Sequence, residues 1–422
     1  MEYRSRVIDD DLQQLVKSVP AIAVVGAKAV GKTESARRLA HTVLDLADED
    51  QAVIVRADRS AALLESRPPV LIDEWQMDPP IWETMRHSVD ADPQPGRFLL
   101  TGSANPRNTR IHSGAGRVVR VRMRPLSLAE RGIQTPTVSL ADLWHGIGKV
   151  GGTSTVSLRD YADEIVSSGF PAIRFGPAVA RRRMLESYVD SAVNHEVRQL
   201  GLLLRKPASL LAWLRSFAAA TGTTATYTAI ADGVPEGDRA SRATINDYRD
   251  ALEQLWLLDQ VPAFPLGHNR LSELGKLPKH HLADPALAAA YLGITADSLL
   301  DGTAARNTTK VRHGALFGRL FESLATLCVR VYAQASGLDV AHIRTGRGEH
   351  EIDLVAHAPD GRVLAFEVKL GQTPSDGDAR HLLWLRKRLG DDVAGLVILT
   401  TGKQAYLRPD GIAVVPLALL GP

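Results

Sequence analysis

The segment Gly26-Ala27-Lys28-Ala29-Val30-Gly31-Lys32-Thr33 constrains this chain more than any other. It fills every position of G-x-x-x-x-G-K-[ST], with the apolar run AIAVVG entering it and a helix-forming stretch leaving it. Glycine lets the backbone curl until successive N–H groups converge on a β-phosphate. Lys32 adds a point charge at the β- and γ-phosphates, Thr33 a hydroxyl for Mg²⁺, and the following helix its positive end. ATP, or a related nucleoside triphosphate, with Mg²⁺ is the ligand this loop implies.

The first third of the chain alternates apolar runs with helical patterns, which predicts an α/β fold built on a parallel sheet. Strands are expected at 21–26, 51–57, 68–74 and 97–103, and helices at 32–46 and 61–66. The run Val70-Leu71-Ile72-Asp73-Glu74 ends an apolar strand in two carboxylates. Alone it reads equally as a buried strand capped by solvated acids. Downstream of a phosphate loop, on a strand beside it, Asp73 would reach the Mg²⁺ water shell and Glu74 would orient or deprotonate the attacking water. Ser103 and Asn105, after the run FLLTG, are candidates for sensing the γ-phosphate; Thr101 is a weaker one. Gly116-Arg117 and Arg120 are candidates for offsetting charge on that phosphate, within the chain or across a subunit interface.

Composition narrows the setting. The net charge is +2, so nucleic acid is neither demanded nor excluded and any basic surface must be local. Cys328 is the single cysteine, which rules out disulfides within the chain and all-cysteine zinc sites. The charged N-terminal stretch is no secretory signal, and no apolar run is long enough for a membrane helix. A cytoplasmic protein with no membrane partner is the expectation.

Beyond a Gly-rich stretch at 146–155 the pattern turns helical. Residues 228–258 pair a short helix, a Gly/Pro turn and a longer helix, as in a winged helix-turn-helix, with Arg239, Arg242 and Arg249 available to phosphates or bases. The run Arg181-Arg182-Arg183 is a second basic cluster. The arginines by themselves fit a helical bundle with solvated charges just as well.

After a polar stretch at 301–312, the last hundred residues read as a separate α/β unit. A long helix at 315–333 carries Glu322 beside an apolar stripe. Asp353 lies in the strand EIDLV, on the face opposite Ile352 and Leu354. Asp360-Gly361 marks a hairpin, and period two puts Glu367 and Lys369 on one face of the next strand. The hairpin brings Asp353 nearly opposite Glu367. Glu322, Asp353 and Glu367 are thus candidate Mg²⁺ ligands, and Lys369 a residue that positions or activates water for phosphodiester hydrolysis. An amphipathic sheet with solvated charges is the alternative.

Taken over nearly its full length, the chain resembles a prokaryotic family of AAA-type ATPases with a C-terminal domain of unknown function. The resemblance is carried by GAKAVGKT, LIDEWQ, LLTGSAN, Gly116-Arg117 with PLSLAE, SGFP at 168–171, LPKHHLADPALAA at 277–289, LFGRLFESL, HEIDLV and FEVKL. It implies an AAA-type P-loop ATPase domain at 1–150, a helical and winged-helix-like region at 151–300, and a PD-(D/E)xK restriction-endonuclease-like domain at 301–422. It implies catalytic roles for Lys32 and Glu74, and a nuclease pattern on Asp353, Glu367 and Lys369 with Glu322 as the helical acid. No proline precedes Asp353; Glu351-Ile352 stands there. The function implied is ATP hydrolysis coupled to binding or metal-dependent cleavage of nucleic acid, DNA ahead of RNA, in a possible homo-oligomer. The alternative is an ATP-dependent switch or regulatory protein whose nuclease-like domain is inactive and only binds a partner or nucleic acid.

Overall fold

The computed structural model describes residues 3–102, 116–146, 149–197, 200, 206–266, 276–304, 314–346 and 348–422. The candidates Ser103 and Asn105 lie outside them.

Five short strands make the first sheet: β1 (Ala21–Val25), β2 (Thr42–Asp45), β3 (Val70–Asp73), β4 (Phe98–Gly102) and β5 (Val118–Arg122). Their order is β2-β3-β4-β1-β5, with every pairing parallel. β1, β3 and β4 are nearly continuous apolar runs because helices cover both faces. The phosphate loop follows β1 at the carboxyl edge. β3 is not beside β1 as the sequence suggested: β4 lies between them, so Asp73 reaches the loop across the end of β4.

Two elements differ from expectation. The helix after the loop spans only Lys32–Arg37, because residues 42–45 leave it to pair with β3 at the sheet edge. The run QAVIVRA is not a strand but part of the helix Glu49–Ala57. Asp48 caps it by accepting from Asp50 N and Gln51 N, and only Ala52 and Val55 turn inward. Val53 and Ile54 are exposed; their β-branching was a weaker signal than the cap.

The middle of the chain is helical and returns to the first sheet. Residues 168–171 lie against the phosphate loop, and the helix Arg181–Ser191 widens into a π-turn at Ala192–Glu196. Further on come the helices Pro207–Ala219, Tyr227–Asp232 and Arg242–Gln254. A small ribbon closes this part. Leu258 bridges Leu282, Val261 bridges Lys279, and His280 exchanges backbone hydrogen bonds with Gly222 and Thr223.

The C-terminal part begins with the helix Gly314–Ala335, buried along much of its length. Strands β7 (Asp339–Arg344), β8 (Glu351–His357) and β9 (Val363–Val368) run antiparallel in sequence. The helix Asp376–Leu389 then crosses to β10 (Val393–Thr400), parallel to β9. β11 (Tyr406–Leu407) and β12 (Ala413–Pro416) complete a six-stranded mixed sheet of order β11-β12-β10-β9-β8-β7. β13 (Leu420–Gly421) pairs in parallel with β6 (Val138–Ser139), which follows the first sheet in the chain. Among the described residues no helix is long and apolar enough to cross a membrane.

Candidate nucleotide site and a closed carboxylate cluster

The loop at 26–33 is held open by its backbone. Gly26 has φ +152°, and a Cβ there would sit 2.2 Å from the Met123 carbonyl oxygen. Gly31 has φ +105°, and Ala29 adopts a left-handed φ of +61°. The Arg6 guanidinium bonds the Val30 carbonyl at 2.8 Å while paired with Glu130 at 2.9 Å, which fixes the loop's shoulder. Lys32 is buried, and its ammonium donates to the Gly26 and Ala27 carbonyls, each at 2.9 Å. Burial pushes this ammonium down to about 8, against the opposing pull of Glu74, Glu196 and Asp73.

Thr33 Oγ1 donates to Asp73 Oδ1 at 2.9 Å, and the Thr101 hydroxyl donates to the same oxygen. Thr101, the weaker sequence candidate, is thus the residue of β4 that touches Asp73. Glu74 follows in a left-handed conformation, φ +51°, which turns its carboxylate off the end of β3. The Gln76 amide bonds it. Burial raises the Glu74 pKa, while Gln76 and Lys32 oppose the rise. A hydroxyl and a carboxylate in direct contact beside a buried ammonium form a donor set that fits a hard divalent cation carrying phosphates.

A cavity of about 460 Å³ opens from the loop. Lys28, Ala29, Gly31 to Ser35 and Glu74 line it, together with Tyr3, Arg4, Leu126, Pro171 and Phe175. The Arg4 guanidinium lies 4.5 Å over the Phe175 ring. Sequence reasoning assigned no role to these residues. The signal was Gly169-Phe170-Pro171, whose backbone is set by Asp284: its Oδ2 accepts from Ser168 Oγ at 2.9 Å and from Gly169 N at 2.5 Å. The middle segment also touches the loop directly. Tyr188 donates its hydroxyl to the Lys28 carbonyl at 3.2 Å, and Glu196 pairs with Lys28 at 3.5 Å.

The arginine candidates fall elsewhere. Arg117 precedes β5, at the amino edge of the sheet, whereas the loop is at the carboxyl edge. It pairs with Asp90. Arg120, exposed in mid-β5, lines a separate cleft of about 340 Å³ with Trp75, Glu253 and Trp256. Arg122, the last residue of β5, and Arg124 lie at the carboxyl edge. Both bind Asp259, at 2.9 and 2.8 Å, and Arg330 binds it at 2.8 Å. Burial acts against the Asp259 charge, but the three guanidinium groups hold its carboxyl far below the usual range.

The C-terminal candidates do converge. The β8–β9 register, Leu354 opposite Phe366, places Asp353 opposite Glu367. Lys369 Nζ donates to Glu367 Oε1 at 2.7 Å, and Val368 N donates to Asp353 Oδ2 at 2.8 Å. A residue that sequence reasoning left without a role enters the cluster. Lys279 Nζ, from the ribbon, lies 2.7 Å from Glu322 Oε1, 2.9 Å from Asp353 Oδ1 and 3.6 Å from Glu351 Oε1. Burial and the Asp353 charge raise the carboxyls of Glu322 and Glu367. The expectation of Mg²⁺ on Glu322, Asp353 and Glu367 does not fit this arrangement, because an ammonium stands where the cation would bind. Among the described residues no group of three His, Cys, Asp or Glu side chains is disposed to hold a metal.

A family model described as "AAA domain" matches residues 18–131, the segment that holds the phosphate loop and the parallel sheet. Two further models, both described as domains of unknown function (DUF8612 and DUF4143), match residues 158–298 and 317–420. Uncharacterized proteins of Mycobacterium bovis and Mycobacterium tuberculosis are each 26% identical over 413 residues, covering 96% of this chain and 82% of theirs. A solved Walker-type ATPase of Pyrococcus abyssi is 13% identical, covering 67% of this chain and 94% of its own, with a TM-score of 0.38.

Proposed function

We propose that this protein is an ATP-hydrolysing switch that changes the packing of its middle and C-terminal parts with nucleotide state. The carrying observation is Thr33, Asp73 and Thr101 in one hydrogen-bonded set beside Lys32 and Glu74. Mg²⁺ bound by Thr33 and through water by Asp73 would neutralise charge on the β- and γ-phosphates. Lys32 leaves the Gly26 and Ala27 carbonyls to meet those phosphates. Thr101 holds Asp73 in register. Glu74, turned toward the cavity and raised by burial, orients a water at the γ-phosphate and takes its proton. Tyr188 and Glu196, on Lys28, carry the change to the helical segment.

The test is Mg²⁺-dependent phosphate release alongside nucleotide affinity. Lys32→Ala loses both, whereas Glu74→Gln keeps binding and loses hydrolysis. Undiminished turnover in both variants overturns the reading.

Nucleic-acid binding by the middle segment is a second reading, favoured by its order of three helices followed by a two-piece ribbon. The charges give it less support. Arg249 is paired with Asp250, and Arg239 bonds the Asp232 and Val234 carbonyls. Fluorescence anisotropy with duplex DNA, single-stranded DNA and RNA, with and without ATP, tests it. No salt-sensitive binding to any of them removes it. Metal-dependent cleavage is not proposed.

A further inference from the structure

We infer that the ammonium of Lys279 is the resident cation of the C-terminal carboxylate cluster, standing in for a metal ion and bolting the middle ribbon to the C-terminal sheet. This inference does not depend on the ATPase reading.

Three elements deliver the acids: Glu322 from the helix Gly314–Ala335, Asp353 from β8 and Glu367 from β9. Carboxylates brought together out of water repel one another and need a compensating cation. Lys279 supplies it. Only 1% of its side chain is exposed, and its three N–H donors meet Glu322 and Asp353 at hydrogen-bond distance, with Glu351 further out. A divalent ion cannot share this position with an ammonium, because both the space and the charge of Glu322 and Asp353 are already used. Lys369 covers Glu367 from the other side. One carboxylate oxygen, Glu367 Oε2, stays buried and without a hydrogen-bond partner, so the cluster has the polar capacity of a cation site although a side chain fills its centre.

The ribbon fixes the backbone that carries Lys279. Its backbone N–H and C=O both bond Val261, each at 2.9 Å. Its neighbours His280 and His281 bond Thr223 and Asp259 in the same ribbon.

The experiment uses the full-length protein without nucleotide and Mn²⁺ alone as probe, with free Mn²⁺ followed by electron paramagnetic resonance. Wild type takes up no Mn²⁺ that Asp353→Asn removes. Lys279→Met gains one Mn²⁺ per chain, at least tenfold tighter than any wild-type uptake, and Lys279→Met with Asp353→Asn loses it. A wild-type Mn²⁺ site abolished by Asp353→Asn overturns the inference. So does a folded Lys279→Met protein that takes up no Mn²⁺. If Lys279→Met does not fold, thermal unfolding of Lys279→Arg, Asp353→Asn and their combination decides: losses that add independently overturn the pairing, and a combined loss smaller than the sum supports it.

Discussion

Thr33 Oγ1 donates to Asp73 Oδ1 at 2.9 Å even though a whole strand, β4, separates the strands that lead to them. The contact is possible because both side chains leave the carboxyl edge of the sheet, where Thr101 completes the set. Ligands of open parallel sheets gather at this edge.

Glu74 and Asp73 are expected to separate binding from chemistry. Glu74→Gln should retain nucleotide affinity within about threefold and slow phosphate release by roughly 10²–10⁴-fold, the usual share of a general base. Asp73→Asn should lose Mg²⁺-dependent turnover and shift the Mg²⁺ requirement upward. Phosphate release measured across a Mg²⁺ series, with a fluorescent nucleotide titration, distinguishes the two.

Glu196 places a carboxylate near the position of the phosphates, paired with Lys28 at 3.5 Å. Removing its charge should strengthen nucleotide binding about three- to tenfold, since like charges at partly screened separation cost about a kcal/mol. Fluorescent-nucleotide titration of Glu196→Gln checks this. Unchanged or weaker binding would show that Glu196 acts through structure alone.

Asp259 pairs with Arg122, Arg124 and Arg330, which come from β5, the segment after it and the long C-terminal helix. Asp259→Asn leaves three buried guanidinium groups without their counter-charge and should cost roughly 3–5 kcal/mol. Urea unfolding of the full chain reads it. A loss under 1 kcal/mol would mean that water reaches the cluster.

Cys328 is buried against the ATPase segment, where its sulfur accepts from Leu128 N at 3.4 Å. Burial pushes the thiol up to about 11 from an ordinary 9.0. The sign follows: at pH 8 the folded protein holds less thiolate than the unfolded chain, by about a hundredfold, so alkylation should be slower by at least that factor. The rate should climb with pH toward 11. Iodoacetamide labelling with and without ATP also reports whether the long helix parts from residues 127–131.

How much was legible in the sequence varies from element to element. The loop at 26–33, the β3 carboxylates and the Asp353–Glu367 juxtaposition are local facts, set by spacing, strand period and a hairpin turn, and all of these act within a few residues. The helix at Glu49–Ala57 was misread because β-branched residues were weighed above a capping aspartate. That Arg117 precedes β5 at the amino edge was not legible, because sequence does not say which edge of a sheet a residue joins.

By itself, then, the sequence determined a phosphate-binding loop in an α/β sheet and a carboxylate pair on a C-terminal hairpin. Tertiary structure alone decided strand order, and with it the reach of Thr33 and Thr101 to Asp73. It alone built the cavity wall from Arg4 and Phe175. It also decided that Lys279 enters the Glu322 and Asp353 cluster. These contacts join residues far apart in the chain, and no periodicity encodes them. They exist because buried charge must find its opposite wherever the packed elements bring one within reach.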